Sequence, residues 1–186
     1  GEQGEIQASF VIGCDGARSF TGQCIGSGDM DLGFHEPWLV VDLILEKSKP
    51  ELGPNSVHHC NPERSATYVF IGRKRRRWEF RLRADDDPHQ MTSPNHVWHL
   101  LENWIGPDEA VLERAVIYTF HSSVAKNWRR NRLMIAGDAA HQTPPFMGQG
   151  MCAGIRDGFN LGWKLDRILK GRASSEILET YQSERE

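Results

Sequence analysis

The sequence predicts an α+β fold, with strands dominating its middle third and helices on either side of them. Three observations carry that prediction. Apolar Trp78, Phe80 and Leu82 alternate with polar Glu79, Arg81 and Arg83, the period of a strand with one buried face. Val97, Trp98, Leu100, Leu101 and Trp104 form an apolar helical stripe after Ser93, a capping residue, and Pro94, which suits a first helical turn. Further on, Gly150, Gly154, Gly158 and Gly162 recur at a spacing of four, which keeps them on one slowly drifting helix face.

Taken in order, residues 8–14 read as a short buried strand that enters a turn at Asp15-Gly16, where glycine tolerates backbone angles other residues resist. Residues 21–33, rich in glycine and polar side chains, read as a loop. Residues 38–45 form a second strand, and residues 47–55, with Pro50 and Pro54, a connection. Residues 57–60, 67–71 and 78–83 give three more strands, the last two joined as a hairpin through residues 72–77. The helix from Ser93 stops at Gly106-Pro107. Residues 113–122 read as a strand, 124–131 as a link and 133–136 as a short strand entering Gly137-Asp138. A proline and glycine loop then leads to the long helix, and residues 174–186 form a last one. No internal repeat or low-complexity segment interrupts this order.

The 186 residues are 39% apolar and 25% charged, ordinary values for a globular domain. With 22 basic and 25 acidic residues the net charge is -3, so neither nucleic acid nor a membrane surface is an expected partner. No apolar run approaches the roughly 20 residues of a membrane helix. The start, Gly1-Glu2-Gln3-Gly4-Glu5, has neither the basic nor the apolar part of a signal peptide, and a cytoplasmic location is expected. Cys14, Cys24, Cys60 and Cys152 are scattered with no C-x-x-C pair, which favours reduced structural thiols over a disulfide framework.

The segment around Gly137-Asp138 concentrates the chemistry. A short strand delivers Asp138 just past a glycine, where a carboxylate can meet a hydroxyl of a ribityl or ribose chain. The following loop, residues 142–150, is stiff and poor in side chains and ends at a helix start, whose free N–H groups and dipole favour negative charge. Each glycine inside that helix costs about 0.5–1 kcal/mol relative to alanine, so the stripe makes most sense where another backbone or a planar ligand packs. The plainer reading is a well-packed core helix. Met151, Ile155, Phe159, Trp163 and Ile168 are expected to make apolar contacts on adjoining faces.

These residues resemble the second FAD fingerprint of the class A flavoprotein monooxygenases, the superfamily of para-hydroxybenzoate and phenol hydroxylases. The resemblance implies that Asp138 contacts the ribityl chain, that Pro144 and Pro145 lie beside the isoalloxazine ring, and that amides of Gly150 and Met151 meet the flavin O2 side. Cys14-Asp15-Gly16-Ala17-Arg18-Ser19 is similar to another motif of that family, which approaches FAD and is linked to pyridine-nucleotide binding. Gly22 departs from it, standing where the family often has arginine. The candidate cofactor-binding residues are thus Asp15, Gly16, Gly137, Asp138, Pro144, Pro145, Gly148, Gly150 and Met151. No metal site is expected, and no residue is assigned as catalytic.

Segments 38–42, 75–80, 116–121 and 144–152 are further similar to the 3-(3-hydroxyphenyl)propionate hydroxylases, with parts shared by phenol and resorcinol hydroxylases. This implies a monooxygenase that uses FAD, NADH or NADPH, and molecular oxygen to convert a phenolic aromatic acid to a catechol through a C4a-hydroperoxyflavin, in a possible homo-oligomer. It also implies that residues 1–30 and 129–186 belong to an FAD-binding α/β domain and residues 31–128 to a substrate-binding β-sheet domain with covering helices. The G-x-G-x-x-G of an N-terminal dinucleotide-binding βαβ unit is not in the sequence, so an internal fragment, inactive alone, is expected. The competing reading is a non-catalytic binding or interaction module derived from the hydroxylase fold.

Other residues carry weaker signals. His35 or His121 could polarise a phenol, and Arg81 or Arg83 could hold a carboxylate, but lone histidines are more often structural and alternating hairpin arginines more often solvated. His58-His59-Cys60 invites a metal reading, yet adjacent strand residues face opposite sides. The basic run 73–77, with acidic Asp85-Asp86-Asp87 nearby in sequence, reads as a solvated hairpin rather than a nucleic-acid patch.

Overall fold

The computed structural model describes residues 4–186 except the side chain of Met147; Gly1, Glu2 and Gln3, part of the expected first segment, lie outside the described residues. The strands are β1 (Val11–Gly13), β2 (Asp29–Leu45), β3 (Val57–His59), β4 (Ala66–Phe70), β5 (Arg75–Arg81), β6 (Ala110–Ala125), β7 (Arg129–Arg130), β8 (Leu133–Ile135) and β9 (His141–Gln142). The helices are α1 (Phe20–Ile25), α2 (Pro88–Met91), α3 (Pro94–Leu101), α4 (Gln149–Leu169) and α5 (Tyr181–Arg185). The chain forms two compact units, one of residues up to Phe34 together with His121–Glu186, the other His35–Phe120.

In the unit His35–Phe120, β3, β4, β5, β2 and β6 are sheet neighbours in that order. The antiparallel register sets Leu39 opposite Phe80 and Val41 opposite Trp78, so the alternation read from the sequence becomes one apolar face. Trp78 is fully buried there with Phe80, Leu82, and Val97 and Leu101 of α3. The opposite face is not simply solvated. Glu79, expected to be exposed, is only 9% exposed, because Val40 and Thr67 flank it in register on the neighbouring strands. The basic hairpin divides along the same alternation: Arg75 pairs with Glu113 and Arg77 with Asp42, while Arg76 turns inward against the Phe70 ring. His58 bonds Thr67 and His59 packs on Trp104, the divergence expected of adjacent strand residues.

In the other unit, β1 runs parallel to β8, and β8 pairs antiparallel with β7. Trp128, Met134, Ile135, Leu161 and Tyr181 form its core. Three expectations are corrected here. Residues 21–33 are not all loop: Ser19 accepts a hydrogen bond from the Gly22 amide and left-handed Gly26 closes the other end, a capping pair that encloses α1. β1 is shorter than expected and half-exposed, with Val11 at 46% and Ile12 at 39%; among the described residues β8 is its one neighbouring strand. The last segment begins as a 3-10 turn, Ser175–Thr180, before α5. Within the other unit, α2 precedes α3 and uses the Ser93 hydroxyl, which donates to Gln90 O at 2.7 Å rather than capping α3. All four cysteines are free thiols, as expected, and Cys14, Cys24 and Cys60 are exposed.

Candidate functional site

Parallel pairing of β1 and β8, with Val11 opposite Leu133 and Gly13 opposite Ile135, brings the turns that follow them to the same end of one sheet. Those turns are Asp15-Gly16 and Gly137-Asp138. Carboxyl ends of parallel strands are where open α/β sheets bind ligands, since the loops diverge there and leave a crevice.

Helix α4 closes the crevice on one side. Gly137 has φ +61°, a left-handed conformation in which a side chain is strained, and a Cβ placed on Gly154 would lie 3.4 Å from the Gly137 Cα. Turn and helix therefore touch backbone to backbone. Alongside is a groove of about 540 Å³, bounded by Ile12, Cys14 and Gly16 on one wall and by α4 on the other. The glycine stripe now separates into parts. Gly154 meets the turn and Gly150 faces Thr143, whereas a Cβ on Gly158 or Gly162 would meet nothing within 4 Å, and both residues line the groove. Met151, Ile155 and Phe159 are not packed as expected: they are 75%, 64% and 79% exposed.

Four of the nine candidate residues line this groove: Gly16, Gly137, Asp138 and Met151. The Asp138 carboxylate is exposed and has no hydrogen-bond partner among the described residues. Pro144, Pro145, Gly148 and Gly150 lie in the loop and first turn that lead into α4. There Gly148 has φ +62° and, as the N-cap residue, makes no side-chain cap bond to the helix. Asp15 is differently employed. Its carboxylate accepts from Ser19 Oγ at 2.5 Å and from the Thr21 amide at 2.9 Å, and these bonds, the serine's first, hold its pKa down at about 2. That fastens the start of α1.

The sequence reading missed Asp157. It is fully buried in α4, where Oδ2 accepts from the Gly137 amide at 2.9 Å and from His141 Nε2 at 2.7 Å, while Oδ1 accepts from Arg185 Nε at 2.8 Å. Burial pushes this carboxyl up, but the bonds from His141, Gly137 and Arg185 outweigh it and hold the pKa below the usual carboxylate range. His141 in turn stacks on buried Trp128, ring centroids 5.1 Å apart. A signal was present: Asp157 falls on the four-residue line between Ala153 and Leu161, both of which are buried. A polar residue on the core stripe of a helix needs partners. Nearby, fully buried Lys164 donates to Thr180 and Glu184, so α5 is fastened to α4 through Glu184 as well as Arg185.

The weaker candidates are engaged elsewhere. Arg81 pairs with Glu36 at 3.1 Å and Arg83 with Asp85 at 3.4 Å. His35 and His121 fall in different units.

A crevice at the ends of parallel strands, a left-handed glycine beside an exposed carboxylate and the start of a long helix led by Gly148 thus lie in one unit. The chain belongs to the FAD binding domain family, whose model matches residues 1–186. It is 42% identical, over 97% of its length, to a probable NADH-specific resorcinol 4-hydroxylase of Rhodococcus jostii, covering 34% of that protein. It is 39% identical, over its whole length, to a 3-(3-hydroxy-phenyl)propionate/3-hydroxycinnamic acid hydroxylase of Mycobacterium avium, covering 32% of it. Among solved structures it matches aklavinone-11 hydroxylase, in a ternary complex with FAD and aklavinone, with a TM-score of 0.80 and 27% identity over 93% of this chain and 34% of that one. The chain thus spans about a third of the length of the curated relatives it matches.

Proposed function

We propose that this chain is the flavin-binding edge of an FAD- and NADH-dependent monooxygenase that hydroxylates a phenolic aromatic substrate, such as 3-(3-hydroxyphenyl)propionate, to a catechol. The observation that carries the reading is the unpaired Asp138 carboxylate at the mouth of a groove floored by the Gly137–Gly154 backbone contact. The residues present fit a flavin. Asp138 accepts hydrogen bonds from ribityl hydroxyls, and the amides of Gly150 and Met151 at the start of α4 meet the electron-rich edge of the ring. Gly148, Pro144 and Pro145 set the path of the loop, Gly16 permits close approach, and Asp15 holds the α1 turn in place. Bound FAD supplies electron transfer from the nicotinamide nucleotide and activation of oxygen. The protein's share is to orient the phenolic ring and exclude water.

In this proposal the unit containing β1, β8 and α4 is the flavin side, the unit His35–Phe120 is the substrate side, and the enzyme is cytoplasmic. No helix among the described residues is long and apolar enough to cross a membrane. A second substrate, resorcinol itself, is favoured by the 42% identity to the resorcinol hydroxylase, against 39% to the hydroxyphenylpropionate enzyme.

The test is NADH oxidation by the complete protein carrying this chain, with 3-(3-hydroxyphenyl)propionate and resorcinol supplied in parallel. Stimulation by one phenol with matching oxygen uptake is expected. Oxidation that no phenol stimulates would sink the proposal, and no NADH oxidation at all by the FAD-loaded protein would favour a binding module. The 186-residue chain alone should bind FMN about as well as FAD, with no competition from ADP, since its groove offers the flavin half of the site.

A further inference from the structure

We infer that Asp157 is a positioning residue for the flavin edge: its carboxylate fixes the Gly137 amide and thereby places the Asp138 carboxylate at the groove. The inference rests on the functional reading above, and the geometry supplies the rest.

Three hydrogen bonds among the described residues bear on Gly137 and the residue before it. Ala136 N donates to Gly13 O at 3.0 Å and Ala140 N to Gly137 O at 2.8 Å, both local consequences of the sheet and the 3-10 turn. The third, Gly137 N to Asp157 Oδ2, is the one formed with a side chain, and it comes from 20 residues away. It acts on the residue immediately before Asp138, at a left-handed backbone position that tolerates little drift. The carboxylate cannot turn freely. His141 engages the same oxygen, and Arg185 engages the other. Asp157 does not line the groove, so it works through Gly137 rather than on a ligand.

A neutral amide of the same shape tests this. In Asp157→Asn one oxygen becomes an N–H2 group that faces a donor, and the carboxylate's charge is lost. The 186-residue chain and this variant are titrated with FMN by flavin fluorescence, and amide hydrogen exchange is measured at Gly137, with Ile135 of β8 as the internal reference. The FMN dissociation constant should rise roughly tenfold and Gly137 should exchange at least about tenfold faster, the scale of one hydrogen bond to a charged group, while Ile135 is unchanged. His141→Gln, which leaves the Gly137 bond but frees the shared oxygen from one partner, should weaken FMN by about threefold. It carries the same comparison if Asp157→Asn does not fold.

Unchanged FMN affinity in a folded Asp157→Asn chain overturns the inference. So does weaker binding accompanied by equally faster exchange at Gly137 and Ile135, which would mean general loosening. A wild-type chain that takes up no FMN refutes the functional reading instead, and the exchange comparison then decides alone whether Asp157 holds the turn.

Discussion

Asp157 and Glu79, one in each unit, are buried carboxylates, and they are buried on opposite terms. Asp157 is met by three donors and stays ionised. Glu79, at 9% exposed, has no hydrogen-bond donor among the described residues, and burial pushes its carboxyl up against the partial opposition of Arg77 and His58. Arg77 could have answered it, but its Nε and Nη2 are committed to Asp42, which also takes Arg114. Burial alone therefore does not predict the charge state of a carboxyl; the aim of its neighbours does.

The comparison breaks first at its strong end. Asp157→Ala leaves the Gly137 amide, His141 and Arg185 without their acceptor in a water-free interior, and the loss in urea unfolding should be about 3–5 kcal/mol, the usual cost of breaking a buried ion pair from one side. A loss under about 1 kcal/mol would mean that water replaces the carboxylate and that the network is not dry. Arg185→Ala removes a single donor and leaves Asp157 with two, so a smaller loss of about 1.5–3 kcal/mol is expected. If the two variants cost the same, the three bonds form or fail as one unit.

At the weak end the sign reverses. Glu79→Gln removes a charge that pays for its burial with no bond in return, so the variant should melt higher at neutral pH. The pH dependence follows from the directions of the shifts. Glu79 has a folded pKa raised above its unfolded value, so its penalty is complete above the raised pKa and fades as pH falls toward the unfolded one. The gain from Glu79→Gln should shrink over that window. Asp157, with its pKa lowered, and Asp86, held at about 2 chiefly by its bond to Arg64, contribute stability above the unfolded carboxylate pKa. They lose it as pH falls through their folded values. A Glu79→Gln chain that melts lower at pH 7 would show that Glu79 has a partner and that the contrast with Asp157 is not real.

The same contrast explains what was legible in the sequence. Strand alternation over Trp78, Phe80 and Leu82 gave the buried face, because burial there follows from periodicity alone. The turn glycines Gly16 and Gly137 were also legible, since a left-handed backbone has few alternative residues. Glu79 was misread because period two assigns a face but not its exposure; Val40 and Thr67, the residues that flank it, come from strands remote in sequence. α1 was taken for loop because its capping pair, Ser19 and Gly26, encloses only six residues. Asp157 was passed over because its partners Gly137, His141 and Arg185 are joined to it only by the fold.

The smallest effect sharpens the comparison most economically. Arg75 Nη2 meets Glu113 Oε1 at 2.6 Å, a shorter contact than the 2.8 Å between Arg185 and Asp157. By distance it would rank as the stronger pair. Yet the Arg75 side chain is 61% exposed and that of Glu113 34%, whereas Asp157 is fully buried and Arg185 only 17% exposed. Water competes for the first pair and salt screens it; neither reaches the second. Arg75→Ala should therefore change stability by no more than about 0.2–1 kcal/mol, and about 1 M salt should erase the difference. The Arg185→Ala loss should persist in the same salt. If the two losses proved equal, or equally sensitive to salt, contact distance rather than burial would govern ion pairing in this chain, and the distinction drawn from Asp157 and Glu79 would fall with it.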